Sequence, residues 1–108
     1  MIVLDLKPIS VNKIWRGGKR FKTKEYSEWI KDGLLLMGKK KTIKGDVIIH
    51  FDFYVKYPRT CDVDNFLKTA IDLLVRREWI KDDRQVQYLS CCKKQNSRER
   101  IELEIREL

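Results

Sequence analysis

The sequence predicts an α+β fold: one mixed β-sheet with helices packed on it, in the chain order β-α-β-α-β-β. Three observations point there. Residues 46–56 alternate strictly between apolar and polar, as a half-buried strand does. Two stretches, 24–39 and 64–76, carry apolar residues at helical spacing. The tail from 86 to 106 divides into two strand-like runs around a polar turn. Strands interleaved with helices in this way pack as layers around a shared core.

Ile2 to Leu6 reads as a short strand stopped by Pro8. Residues 8–24 are loop-like and cationic, with Lys13, Arg16, Lys19, Arg20, Lys22 and Lys24 around Gly17 and Gly18. Thr23 is placed to cap a helix whose apolar stripe is Tyr26, Trp29, Ile30, Leu34 and Met37, and Gly38 can help to end it. In the strand 46–56, Val47, Ile49, Phe51, Phe53 and Val55 share one face. His50 and Asp52 lie on the other, which reads as a mixed, partly solvated surface. Tyr57-Pro58-Arg59-Thr60 breaks that strand. The second helix, Asp64 to about Arg76, carries the stripe Phe66, Leu67, Ala70, Ile71, Leu74 and Val75. Lys81 to Arg84 is a charged turn. Val86–Lys94 and Arg100–Arg106 follow as strands, with Ile101, Leu103 and Ile105 facing inward. Their spacing around Gln95-Asn96-Ser97 suggests an antiparallel hairpin.

The 108 residues are read as one domain, 1–108, with a modest core. A composition of 43% hydrophobic and 37% charged residues describes a soluble globular chain rather than a disordered one. No apolar run approaches the ~20 residues that span a bilayer. Asp5 and Lys7 interrupt the start too early for a secretory leader. A cytoplasmic protein without a membrane segment is the expectation. Cys61, Cys91 and Cys92 are an odd number with an adjacent pair, and His50 is the only histidine. That spacing fits neither a disulfide framework nor a structural zinc site, so reduced, idle thiols are expected. With 24 Lys and Arg against 16 Asp and Glu, the formal charge is +8, a field that attracts phosphodiester backbones.

The chemistry concentrates in Cys61-Asp62-Val63-Asp64-Asn65-Phe66-Leu67-Lys68. Asp62 and Asp64 are two apart, which in an extended chain points both carboxylates the same way. Like charges held close resist ionisation unless a cation lies between them. Mg²⁺ prefers oxygen ligands and is often held by few carboxylates together with water and phosphate. Lys68 follows Asp64 by one helical turn, and an ammonium there can neutralise charge developing on a phosphate. The ordinary reading of Asp64, Lys68 and Asp72 is a surface ion-pair ladder, worth only ~0.3–0.5 kcal/mol per pair. Asp82-Asp83 arrives as the chain returns from the second helix, and a βαβ-type excursion can bring such a turn back to the strand end that launched it. Either acid could supply a third ligand, and a solvated turn is the plain alternative. A glycosidase could use paired carboxylates but gains nothing from a charge of +8. Gly17-Gly18 lacks the spacing of a P-loop, and no nucleophile motif accompanies His50.

These residues resemble the RusA-type Holliday junction resolvases of bacteria and their phages. The likeness rests on Asp62-Val63-Asp64-Asn65-Phe66-Leu67-Lys68, then Ala70 and Asp72, then Asp82-Asp83-Arg84-Gln85-Val86. Pro8-Ile9-Ser10-Val11-Asn12-Lys13, with Trp15, Arg16, Tyr26 and Trp29, extends it toward the N-terminus. The resemblance implies a homodimer that resolves four-way DNA junctions by symmetric nicking in recombination and repair. It implies Mg²⁺, with Mn²⁺ as a substitute, and no organic cofactor. By motif position it assigns metal binding to Asp62, Asp64 and Asp83, and the catalytic lysine to Lys68. Cys61 departs from the polar or cationic residue expected there, and Arg59 can stand in for it. Asn12, Lys13, Arg16, Lys19, Arg20 and Arg59 are the candidate DNA contacts, of the kind that position a backbone without reading sequence. Trp15 could stack on an unpaired base, although an aromatic beside an amphipathic helix is more often core. Two competing readings are a basic DNA-binding or architectural protein without nuclease activity, and a nuclease acting on other branched DNA.

Overall fold

The strand read most strongly from the sequence is the centre of the sheet. The computed structural model describes residues 1–16 and 21–108, with the backbone alone at Arg16 and Phe21. The expected DNA contacts at Lys19 and Arg20 therefore lie outside the described residues, as does the side chain of Arg16. In chain order the elements are β1 (Ile2–Leu4), β2 (Trp15–Arg16), β3 (Phe21–Lys22), α1 (Lys24–Leu36), β4 (Val47–Val55), α2 (Leu67–Arg76), β5 (Val86–Gln95) and β6 (Arg100–Glu107). The main sheet runs β1-β6-β4-β5, and β2 with β3 forms a small antiparallel ribbon within the stretch read as loop.

β4 takes the middle because its inward face is wholly apolar. Val47, Ile49, Phe51 and Phe53 are fully buried and Val55 nearly so. Leu4, Ile101 and Leu103 on one side, and Phe66, Leu73, Leu74 and Ile80 from the crossover to β5, complete the core. β5 runs parallel to β4, from Val47↔Val86 to Val55↔Gln95, whereas β6 is antiparallel to β4. A parallel neighbour demands a crossover, and α2 provides it.

The expected C-terminal hairpin is not formed. β5 and β6 flank β4 on opposite sides and do not pair with each other. Residues 96–99 step over the end of β4, where Asn96 N donates to Val55 O at 3.0 Å. Two strand spacings are only ~9.6 Å, within reach of so short a link. The inward positions of β5 are Leu89, Cys91 and Lys93, too polar to be enclosed on both flanks, so β5 becomes an edge.

The helices lie together on one face. Thr23 caps α1 as expected, accepting from Tyr26 N at 3.1 Å. α1 ends at Leu36, two residues before Gly38. Its Gly33 lies against α2, where a Cβ would fall 2.8 and 2.9 Å from the two methyl carbons of Leu73. Leu73 is fully buried and cannot retreat. Gly33→Ala is accordingly expected to lower stability by about 1–3 kcal/mol, read as a lower urea midpoint at unchanged slope. The same change on an exposed helical glycine would stabilise.

The segment read as one helix from Asp64 begins instead as a 3₁₀ turn, Val63–Phe66, and becomes α-helical only at Leu67. α2 ends in a Schellman turn: Trp79 N donates to Leu74 O and Glu78 N to Val75 O. Glu78 occupies the left-handed position, φ 64°, where glycine is usual. That turn sends Trp79 and Ile80 back under the sheet. Ile80 then bridges in parallel to Ile43 and delivers residues 81–85 to the start of β5. No helix among the described residues is long and apolar enough to cross a membrane.

Candidate active site

β4 ends at Val55, and the chain turns through a 3₁₀ turn at Pro58–Thr60 before reaching Asp62. The ammonium of Lys93, on β5, clamps this loop by donating to Pro58 O at 2.6 Å and Cys61 O at 2.7 Å. Below it Phe66 is buried, its ring 5.2 Å from that of Phe53. The loop carrying Asp62 and Asp64 is thus held from one side by a cation and from the other by an aromatic contact with the central strand.

Asp62 stands at the N-cap of the 3₁₀ turn in extended conformation, but its side chain makes no capping bond. Asn65 N bonds to the backbone carbonyl of Asp62 instead, at 3.1 Å. Asp62, Asp64 and Lys68 are all exposed. Among the described residues, no hydrogen bond or ion pair engages the carboxylate of Asp62 or Asp64. The ion-pair ladder that is the ordinary reading of Asp64, Lys68 and Asp72 is not formed. Asp72 accepts from the Tyr26 hydroxyl at 3.3 Å, and burial, reinforced by the Asp72 charge, pushes that phenol up to about 12. Asp64 lies over the helix-covered side of β5, where burial raises the Cys91 thiol and the Asp64 charge adds to the rise.

Asp83 is elsewhere. The crossover returns the chain to the other end of β4, beside Ile43 and Gly45, whose carbonyls accept from Gln85 Nε2 at 2.8 Å each. Residues 91–93 of β5, where Asp64 and the Lys93 clamp lie, follow Val86 by five to seven positions, roughly 17–23 Å along the strand. A parallel pair aligns strand starts with strand starts, so this excursion does not bring Asp82-Asp83 back to the end of β4. Among the described residues, Asp62, Asp64 and Asp83 do not form a group of three within metal-ligand reach of one another.

The structure does separate Asp82 from Asp83. Asp82 caps the 3₁₀ turn Asp83–Gln85, accepting from Arg84 N at 2.8 Å, and it pairs with the Arg84 guanidinium at 3.0 Å. The Arg84 side chain, then its backbone N–H, lower the Asp82 carboxyl to about 2. Gln85 Oε1 completes the cap by accepting from Lys81 N and Asp82 N. Asp83 is exposed and supplies no capping bond, although its side chain, after those of Arg84, also helps to lower the Asp82 carboxyl.

Of the candidate DNA contacts, Asn12 and Lys13 form a 3₁₀ turn, Val11–Lys13, that packs beside Val63–Phe66. They share with Tyr57, Thr60 and Cys61 a cleft of about 420 Å³. Arg59 is exposed on the neighbouring turn. Trp15 is 43% exposed rather than core, with the Lys22 ammonium 5.9 Å from its ring. That ammonium is also 5.8 Å from the ring of Tyr26.

One group escaped the sequence reading. His50, Asp52 and Cys92 converge on the face of the sheet opposite the helices, with one ligand atom from each within 4.8 Å of the others. Asp52, expected on a partly solvated surface, is buried at 5% exposure. Burial pushes its carboxyl up, but hydrogen bonds from Cys92 and His50 and the Lys94 ammonium outweigh that and hold it below its ordinary value. Cys92 is forty residues away in sequence, and only the parallel register sets it beside Asp52. No spacing motif could have signalled that.

Residues 10–106 match the family model described as Endodeoxyribonuclease RusA. No relative is found among curated proteins. The match runs from Ser10, through the Asp62–Lys68 loop and Asp83, into β6, so it takes in every element that builds the loop described above. This chain belongs to the RusA endodeoxyribonuclease family.

Proposed function

We propose that the chain is a divalent-metal-dependent endonuclease that resolves four-way DNA junctions by paired nicking, as a homodimer, in cytoplasmic recombination and repair. The observation that carries this reading is the pair of exposed carboxylates, Asp62 and Asp64, in no ion pair among the described residues, with Lys68 four positions after Asp64, in a family of endodeoxyribonucleases. A rigidly held acid pair that the chain leaves unneutralised is chemically suited to a hard cation, whose remaining positions go to water and phosphate. Mg²⁺, or Mn²⁺ in its place, supplies activation of water and stabilisation of the leaving oxygen.

The chain's own groups divide the remaining work. Asp62 and Asp64 hold the ion, and Lys68 offsets negative charge on the scissile phosphate. Lys13, Arg59 and the cationic stretch around Arg16, Lys19 and Arg20 grip neighbouring phosphates, with Asn12 beside them. Asp83, in the turn before β5 begins, lies too far from Asp62 and Asp64 of its own chain to join them, so in this reading it reaches the acid pair of a second copy. A two-fold dimer would then carry two composite sites, one for each symmetric nick.

Subunit mixing tests the proposal. Asp64→Asn and Asp83→Asn chains should each fail to nick a synthetic four-way junction in Mg²⁺. After exchange of subunits they should recover nicking, because one of the two composite sites is then intact. A mixture that stays inactive under confirmed exchange removes the shared site. A wild-type protein that binds junctions with the usual fall in affinity with salt, yet nicks nothing in Mg²⁺ or Mn²⁺, makes it a DNA-binding protein only. Equal cutting of forks, flaps or linear duplex removes junction selectivity.

A further inference from the structure

We propose that His50, Asp52 and Cys92 form a second metal site, specific for zinc or a similarly soft divalent ion, on the open face of the sheet. His50 and Asp52 are alternate residues of β4, and their register partners on β5 are Ser90 and Cys92. Four polar side chains therefore occupy adjoining positions on one face. His50 Nε2 lies 2.9 Å from Asp52 Oδ1, and Cys92 Sγ donates to the same oxygen at 3.0 Å. Asp52 Oδ2 faces the Lys94 ammonium at 3.5 Å.

Three features make this a built site rather than a chance meeting of polar groups. The carboxylate at its centre is buried, with only 7% of its side chain exposed, on a face that no helix covers. Around zinc, with bonds of ~2.0–2.3 Å in a tetrahedron, neighbouring ligand atoms stand ~3.3–3.7 Å apart. The two spacings to Asp52 Oδ1 need to open by only a few tenths of an ångström, and His50 and Cys92 offer ligand atoms within 4.8 Å of each other. The other ring nitrogen, His50 Nδ1, is 2.6 Å from Ser90 Oγ. A second hydrogen bond of this kind is what orients a metal-binding imidazole.

The donor set selects the ion. One thiolate, one imidazole and one carboxylate suit zinc and its neighbours, whereas Mg²⁺ takes oxygen. On binding, metal–sulfur, metal–nitrogen and metal–oxygen bonds form, the S–H bond of Cys92 breaks and its proton leaves to solvent, and the imidazole proton that Nε2 shares with Asp52 shifts to Nδ1, which then donates to Ser90 Oγ. The doubly charged ion is balanced by the Cys92 thiolate and the Asp52 carboxylate. The His50 side chain is 36% exposed, so water can supply the fourth ligand from the solvent side. Without metal, the hydrogen bond to Asp52, helped by burial, raises the Cys92 thiol. Inward-facing Cys91 lies on the side of β5 beneath Asp64, while Cys92 points to the opposite face, so this site is separate from the acid pair and does not depend on the nuclease reading.

Cobalt titration of the full chain tests it. One equivalent of Co²⁺ should give tetrahedral ligand-field bands and a thiolate-to-cobalt charge-transfer band. One equivalent of Zn²⁺ should abolish them, and excess Mg²⁺ should not. The double variant Cys61→Ser, Cys91→Ser, in which Cys92 is the sole thiol, should keep the charge-transfer band, whereas Cys92→Ser should lose it. Ser90→Ala should keep the band and weaken binding by about 10–100-fold. Absence of the band in the wild type, its loss in the double variant or its survival in Cys92→Ser overturns the proposal. Junction cleavage enters none of these readings, so either proposal can fail alone.

Discussion

Asp64→Asn is expected to abolish metal-dependent nicking of a four-way junction while leaving junction binding intact or slightly tighter. The substitution keeps the shape of the side chain and removes its charge. Asp64 is exposed and engaged by no neighbour among the described residues, so the fold has little to lose, within about 0.5 kcal/mol. What goes, in the proposed reading, is one of the two carboxylates offered to the ion. Metal stabilisation of phosphoryl transfer is worth several kcal/mol, and each 1.36 kcal/mol is tenfold in rate, which puts the loss at about 10³-fold or more. Binding moves the other way, because removing a negative charge from a chain of +8 strengthens its attraction to phosphates. The measurement is a single-turnover cleavage rate beside a binding isotherm at fixed salt. A rate within tenfold of wild type would show that Asp64 is not a ligand. Loss of binding and cleavage together would assign it to DNA contact.

Phe53→Ala should bring the largest loss of stability, about 3–5 kcal/mol, a cost typical of deleting a buried aromatic ring and leaving a cavity. Phe53 is fully buried in the central strand, 5.4 Å from the Phe51 ring and 5.2 Å from that of Phe66. Domains of this kind carry only about 5–15 kcal/mol in all, so a substantial part of the margin would go. The consequence also reaches the site, since Phe66 closes the 3₁₀ turn that holds Asp64. Cleavage by the still-folded fraction should fall further than its folded population explains. Phe53→Leu, which refills part of the volume, should recover most of both losses. Urea unfolding followed by Trp fluorescence checks the first effect. Cleavage well below the unfolding midpoint checks the second, and a rate unchanged there would uncouple the turn from the core.

Asp82 and Asp83 stand side by side in the chain. The sequence presents two adjacent acids with nothing to choose between them. In the fold Asp82 becomes a cap locked to Arg84, while Asp83 is exposed beside it. A capping carboxylate already satisfied by a guanidinium and a backbone N–H is a poor candidate for a ligand, so the proposed reading keeps the role with Asp83. The same fold denies Asp83 to the acid pair of its own chain, which is why subunit mixing, rather than a further single substitution, is the informative experiment.

What the sequence determined by itself was local. Alternation from Val47 to Val55 meant a strand with one apolar face. The spacing of Tyr26, Trp29, Ile30 and Met37 meant a helix capped by Thr23, and the Asp62–Asp64–Lys68 interval meant acids and an amine on one short stretch. These features follow from backbone periods of 2 and 3.6 residues, which neighbours in the chain impose on one another. The tertiary structure alone decided what depends on which strands lie side by side. It set β4 between β5 and β6 because β4 had the most apolar surface to enclose, and so dissolved the hairpin that spacing suggested. It ran β5 parallel to β4, and that one choice of direction put Asp83 far from Asp62 and Asp64. The same parallel register put Cys92 beside Asp52. Strand order and direction are settled by burial summed over the whole sheet, a quantity that no window of sequence contains.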